Sequence, residues 1–211
     1  MLNVGIITSH RAPGLDGLRQ HPLRESLFDI GCVLARRPPG DRSLREWYDR
    51  ETAELLQRFG IDVVVLLGYL FVVTDQLLDA FPGRVLNVHD GTRKFPGLHA
   101  TRDAILAGET ETHSIVHIVT RELDRGPLVV QSDPMPVAGF VHRAVAAGEM
   151  DIVRAYAYAH REWMMRSLWG DLVVQALLQV AIEGGADVAS ASARRPGTRD
   201  AGAPRSFEVP A

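Results

Sequence analysis

Hydrophobic and polar positions fall into two kinds of block along this chain. Asn3 to Thr8 (NVGIIT) is a short continuous apolar run closed by Ser9 and His10, the pattern of a strand buried on both faces. Phe28 to Leu34 (FDIGCVL), Asp62 to Leu67 ahead of Gly68, and Arg84 to His89 (RVLNVH) repeat that pattern. The stretch SHRAPGLDGLRQHP between the first two is rich in Gly and Pro and reads as a loop with room for a short helix. A longer helix is predicted from Ser43, with Glu46 three residues on for a capping box. Leu44, Trp47, Tyr48, Leu55 and Phe59 recur near helical period, and Gly60 supplies the stop. Thr74 to Phe81 predicts a short helix ended by Pro82 and Gly83.

This alternation of strand and helix predicts an α/β fold with an open, mostly parallel sheet and flanking helices. Two further strands are expected at 114–120 and 127–137, joined by the turn RELDRG. Ala144 to Leu178 predicts a long C-terminal helix, and from Glu183 onward the composition is that of a flexible tail. The expected organisation is therefore one domain over 1–183 followed by a tail over 184–211. Trp163, Met164, Met165, Leu168 and Trp169 read first as core, although such a run could also cover a homodimer contact.

Composition narrows the class without changing the fold. The chain has 211 residues, 46% hydrophobic and 23% charged, which is ordinary for one globular domain. A formal net charge of −3 carries no electrostatic footprint for nucleic acid. The single cysteine, Cys32, cannot form an internal disulfide and sits mid-strand as a core residue. The N-terminus has no basic segment ahead of its short apolar run, so it reads as a strand rather than a signal peptide. No apolar stretch approaches the ~20 residues of a membrane span. The expectation is a cytoplasmic protein with neither a nucleic-acid nor a membrane partner.

In an open α/β sheet, ligands bind beyond the carboxyl ends of the strands. Asn87 and His89 lie at such an end, two residues apart, so both side chains project to one side. An amide beside an imidazole can polarise a carbonyl and move protons at one centre. Taken alone, the pair could equally satisfy a loop, and Asp124 in the turn LDRG could be purely conformational. His113 and His117 are four apart, but on a strand that spacing spans ~13 Å, too far for one metal ion. No metal is expected.

Together the segments carry a resemblance. The order is Asn87-Val88-His89 after a buried strand, then Pro96-Gly97-Leu98-His99 with Ala104. His117 through Val119 to Asp124 and Gly126 follows. Over roughly residues 60–137 this resembles the folate-dependent formyltransferase family, of which the glycinamide ribonucleotide formyltransferases are members. The resemblance implies a Rossmann-like sheet of the formyltransferase type and 10-formyltetrahydrofolate as formyl donor. It also implies a small-molecule amine as acceptor, and a catalytic set of Asn87, His89 and Asp124. Asn87 would donate to the oxyanion, His89 would assist as donor or proton carrier, and Asp124 would accept the proton lost by the amine. The folate would lie against Leu70, Phe71, Val72 and Val73 and against the backbone of Arg121, Glu122, Leu123 and Asp124. Gly68, His10, Arg11, Arg93 and Glu162 would face the acceptor. His99 and His117, though within the matching segments, read as packing residues.

The acceptor side departs from the family pattern. Thr8 to Gly14 replaces a glycine-rich phosphate loop, and Pro13 removes an amide donor. Phe71 stands where an arginine is expected, and Asp90-Gly91-Thr92-Arg93 replaces a proline-bounded run. These changes predict an acceptor other than glycinamide ribonucleotide. A 10-formyltetrahydrofolate hydrolase and a non-catalytic folate-binding module are the alternatives.

Overall fold

The computed structural model describes residues 1–9 and 11–191, with side chains through Ile182. Its centre is a six-stranded sheet in the order β2-β1-β3-β4-β6-β7. Strands β1 (Leu2–Thr8), β2 (Phe28–Ala35), β3 (Val63–Leu66) and β4 (Val85–His89) run parallel. Strands β6 (Ile115–Ile118) and β7 (Leu128–Gln131) are added antiparallel beyond β4.

The period of two along each strand sorts the core into two halves. Val63 and Val65 of β3 join Val4, Ile6, Leu86 and Val88 on one face. That face is covered by α1 (Leu15–Gln20) through Leu18 and by α6 (Met150–Ala191) through Met165, Trp169, Leu172, Val173 and Leu177. Val64 and Leu66 turn the other way and pack with Leu56 of α2 (Arg42–Arg58) and Leu77 of α3 (Asp75–Ala80). Val85 belongs to this second half, so Asn87 and His89 continue its row toward the carboxyl end of the sheet. Cys32 is half-buried against the same half, and burial pushes its thiol up.

Helix α6 is pinned across the sheet by polar contacts as well as by its apolar face. Trp169 Nε1 donates to Ser114 Oγ at 3.0 Å, and His160 Nε2 lies 2.7 Å from Thr112 Oγ1. Its approach to α1 requires small residues. A Cβ at Gly14, which also has φ +82°, would stand 2.7 Å from the backbone nitrogen of Gly170. Among the described residues no helix is long and apolar enough to cross a membrane.

Several local expectations are corrected. Helix α2 is capped by Asp41, whose carboxylate accepts from the Ser43 and Leu44 amides, while Ser43 Oγ donates to the same oxygen at 2.6 Å. A carboxylate is the stronger acceptor for orphan amides, so the cap falls two residues earlier than Ser43. Leu44, Trp47 and Phe59 are exposed, and α2 instead buries Asp49, Thr52, Ala53 and Leu56. The segment 127–137 is not one strand. It leaves the main sheet after Gln131 and resumes as β8 (Met135–Pro136), which pairs with β5 (Glu111–Thr112) in a separate ribbon. Helix begins earlier than Ala144, in α5 (Gly139–Ala146), and Gly148 with φ +75° separates α5 from α6. Helix α6 runs to Ala191, past the boundary expected at 183, and 192–211 lie outside the described residues. Met164, Met165 and Trp169 are core as expected, whereas Trp163 is exposed.

Replacing Gly14 by Ala adds a Cβ to a left-handed backbone and drives it into α6. A destabilisation above ~1 kcal/mol is expected, from the left-handed conformation alone. Urea denaturation reads it as a lowered midpoint, and an unchanged midpoint would contradict the tight α1–α6 seam.

Candidate functional site

The antiparallel pairing of β4 with β6 sets Asn87 directly opposite His117. Side chains of directly opposed residues lie close enough to bond, and Asn87 Nδ2 is 3.2 Å from His117 Nε2. His117 Nδ1 lies 3.0 Å from the Ile118 carbonyl oxygen, which can only accept, so Nδ1 carries the proton and Nε2 is the acceptor for Asn87. The second Asn87 amide hydrogen points to Asp124 Oδ1, also at 3.2 Å. His117 is thus a member of the site rather than a packing residue. Its place in the strand pattern gave no sign of this, because the signal is the β4–β6 register.

Asp124 reaches the site from the loop between β6 and β7 by adopting φ +52°, a left-handed conformation that aspartate tolerates better than most residues. Gly126 lets that loop close: a Cβ there would stand 1.8 Å from the Ile118 carbonyl oxygen. Asp124 Oδ2 accepts the Gly97 amide at 2.8 Å and lies 3.7 Å from His89 Nδ1, while Oδ1 lies 3.6 Å from His117 Nε2. His89 Nε2 is 3.0 Å from the Phe95 carbonyl oxygen, so that nitrogen carries a proton and Nδ1 is the one turned to the carboxylate. Burial pushes the Asp124 carboxyl up. The facing imidazoles of His117 and His89 and the Gly97 amide outweigh it, and the group sits below the ordinary carboxylate range.

These groups open into a cavity of about 280 Å³. Gly68, Leu70, Phe71, Val72, Val73, Arg121 and Leu123 line it. Leu70, Phe71, Val72, Leu98 and Leu123 are exposed and form an apolar wall, with the Phe71 ring 5.7 Å from that of Tyr69. Glu122 does not line the cavity; its carbonyl instead accepts from Arg125 N and Thr120 Oγ1 within the turn. Arg11 and Glu162 are brought together, but onto each other, in a two-bond pair at 2.7 and 3.2 Å, and neither lines the cavity. Two opposite charges selected for one ligand have found each other. Arg93 is exposed outside the cavity, and His10 lies outside the described residues. Arg161 and Trp169 of α6 also line the cavity, although the sequence pattern marks Trp169 only as core and Arg161 not at all. Their spacing on a long helix gives no hint of the turn at which it crosses the sheet edge.

The profile of the formyl transferase family matches residues 17–138, more than half of the chain. The chain belongs to the formyl transferase family. Phosphoribosylglycinamide formyltransferase of Escherichia coli is 36% identical over 124 residues, 58% of this chain and 52% of that relative. The match therefore spans about half of the relative's length. The solved phosphoribosylglycinamide formyltransferase of Streptococcus pneumoniae superposes with a TM-score of 0.61 at 22% identity, covering 82% of this chain and 97% of that one, a likeness of fold. A formyltetrahydrofolate deformylase from Pseudomonas syringae superposes with a TM-score of 0.55 at 25% identity, covering 81% and 62%. The expectation of an acceptor other than glycinamide ribonucleotide gains no support from these formyl transferase relatives.

A carboxyl held below its ordinary value stabilises the fold through its charged form. That contribution is complete above the unfolded carboxylate value of about 3.9 and is lost as pH falls through the folded value. The stability of wild type relative to Asp124→Asn, from urea midpoints, is expected to shrink as pH falls from about 5 to about 3. A difference that grows over the same range would contradict the arrangement.

Proposed function

We propose that this chain transfers the formyl group of 10-formyltetrahydrofolate to the amine of a small-molecule acceptor. The observation that carries this reading is the convergence of Asn87, His89 and Asp124 at one end of a cavity whose other wall is apolar and exposed. The apolar wall at 70–73 and 123 suits a flat heterocycle, with backbone groups of the 121–124 turn available to its polar edge. Nothing covalent to the protein is needed.

The chemistry is addition followed by elimination. The acceptor nitrogen attacks the formyl carbon, and an oxyanion develops on the formyl oxygen. Asn87 is the donor for that oxygen. Both of its amide hydrogens are engaged within the site, so one must turn from Asp124 to the oxyanion. Asp124 takes the proton released by the attacking nitrogen, which weakens its own hold on Asn87 at the moment the oxyanion needs the donor. His89, whose Nδ1 faces Asp124, relays that proton to the folate nitrogen as the carbon–nitrogen bond breaks. The products are the formamide and tetrahydrofolate, with the proton balance closed.

Water in place of the amine would give formate, the reading suggested by the likeness to a formyltetrahydrofolate deformylase. The assay presents 10-formyltetrahydrofolate with a panel of amines, glycinamide ribonucleotide included, and follows formylated products and formate by mass. A formylated amine is expected, with Asn87→Ala and Asp124→Asn each lowering turnover by at least ~10², the size of a lost oxyanion donor or proton acceptor. Near-native turnover in either variant would remove that residue from the mechanism, and formate alone with every amine would replace transferase by hydrolase. Calorimetric titration with 10-formyl-5,8-dideazafolate tests the donor side separately. Saturable binding is expected, weakened in Val72→Asp, and absence of heat at millimolar ligand would count against the folate site.

A further inference from the structure

The cavity holds an arginine that the mechanism above does not use. Arg161 Nε donates to Asp90 Oδ2 at 2.6 Å, and the Asp90 carboxylate is buried, also accepting the Thr101 hydroxyl at 3.0 Å. Asp90 and Arg161 line the same cavity as Asn87, His89 and Asp124. A guanidinium has five N–H donors. Only Nε is bonded among the described residues; neither terminal nitrogen makes a hydrogen bond there, and the side chain is 22% exposed on the cavity wall. The ion pair therefore fixes the plane of the guanidinium while leaving its outer fork open, a shape matched to two oxygens of one anion.

Arg11, Arg93 and Arg121 are differently placed. Arg11 is closed off by Glu162, and Arg93 is outside the cavity. Arg121 lines the apolar side of the cavity, is 74% exposed and pairs with Asp75 at 2.8 Å. Among the described residues, Arg161 is the arginine that lines the cavity on a buried carboxylate, Asp90.

We propose that Arg161, oriented by Asp90, determines acceptor specificity, and that the acceptor amine carries an oxyanion seated on the Arg161 fork while its nitrogen lies against Asp124 and His89. This rests on the formyl-transfer reading for the amine and on the Arg161–Asp90 geometry for the anion. Because both ends share one cavity of about 280 Å³, the anion and the amine stand only a few bonds apart, as in an amino acid. A carboxylate and a phosphate ester meet the same fork.

The anion is tested without knowing the acceptor. Nitrogen-15 spectra of the arginine side chains of the full chain, saturated with 10-formyl-5,8-dideazafolate, are titrated with acetate and with inorganic phosphate. The Arg161 signals, assigned by their loss in Arg161→Lys, are expected to shift saturably at millimolar anion while those of Arg93 do not. No saturable Arg161 shift with either anion overturns the proposal. Transfer assays then compare amino acids with their carboxamides, and glycinamide ribonucleotide with its dephosphorylated riboside. A preference within the first pair identifies a carboxylate and within the second a phosphate. In Arg161→Ala and Arg161→Lys that preference is expected to fall by ~10- to 100-fold, carried mainly by the acceptor KM, the size of a charge-assisted pair. Arg161→Lys keeps a cation beside Asp90 should Arg161→Ala fold poorly. A preference that survives in the Lys variant, or a loss shared equally by charged and neutral amines, overturns the proposal. Saturable anion binding with no formyl transfer to any amine would count against the transferase reading and leave the anion site standing.

Discussion

A buried carboxylate must be held by donors, and Asp124 is held by donors from two separate parts of the chain. The Gly97 amide comes from the loop ahead of a helix and the Asn87 amide from the end of β4, while the imidazoles of His89 and His117 face the same carboxylate at 3.7 and 3.6 Å. To reach them the residue adopts φ +52°, and the loop that carries it closes only because position 126 has no Cβ. Removing any one of these supports would leave the carboxylate desolvated without compensation, which costs more than the lost hydrogen bond itself. The site is therefore coupled to the fold through this group. The left-handed turn, the glycine and the β4–β6 register exist together or not at all.

The sheet supplies the rest by arithmetic. Parallel strands deliver Asn87 and His89 to a carboxyl edge on one face, and the antiparallel addition of β6 sets His117 beside Asn87. Helix α6 crosses behind this edge, anchored by Trp169 and His160, and so brings Arg161 to Asp90. The close seam of Gly14 and Gly170 lets α6 lie that near the sheet. The two walls of the cavity are thus built by different physics. The first is an apolar wall at strand ends, and the second is an ion pair delivered by a long helix.

Much of this was legible in the residues. Buried runs such as Val63–Leu66 announce their strands because both faces are covered, and the Asn87/His89 pair is visible because period two fixes a common side. Asp124 was legible only through the spacing of several segments, since an Asp-x-Gly turn by itself says little. What stayed hidden depends on long-range geometry. His117 needs the strand register, and Arg161 needs the crossing of α6. The mutual capture of Arg11 and Glu162 needs both ends of the chain in one frame. The exposed Leu44, Trp47 and Phe59 of α2 mislead for a related reason: helical period reveals that a stripe exists, not which stripe the sheet covers.

The ring nitrogens of the histidines give the most direct reading of whether Asp124 organises the site. Long-range proton–nitrogen spectra of the uniformly labelled protein at neutral pH distinguish the tautomers residue by residue. His117 is expected to carry its proton on Nδ1 with Nε2 bare, and His89 to carry one on Nε2. A proton on His117 Nε2 instead would mean that Asn87 presents its oxygen there and turns its amide hydrogens elsewhere, and the arrangement around Asp124 would be wrong.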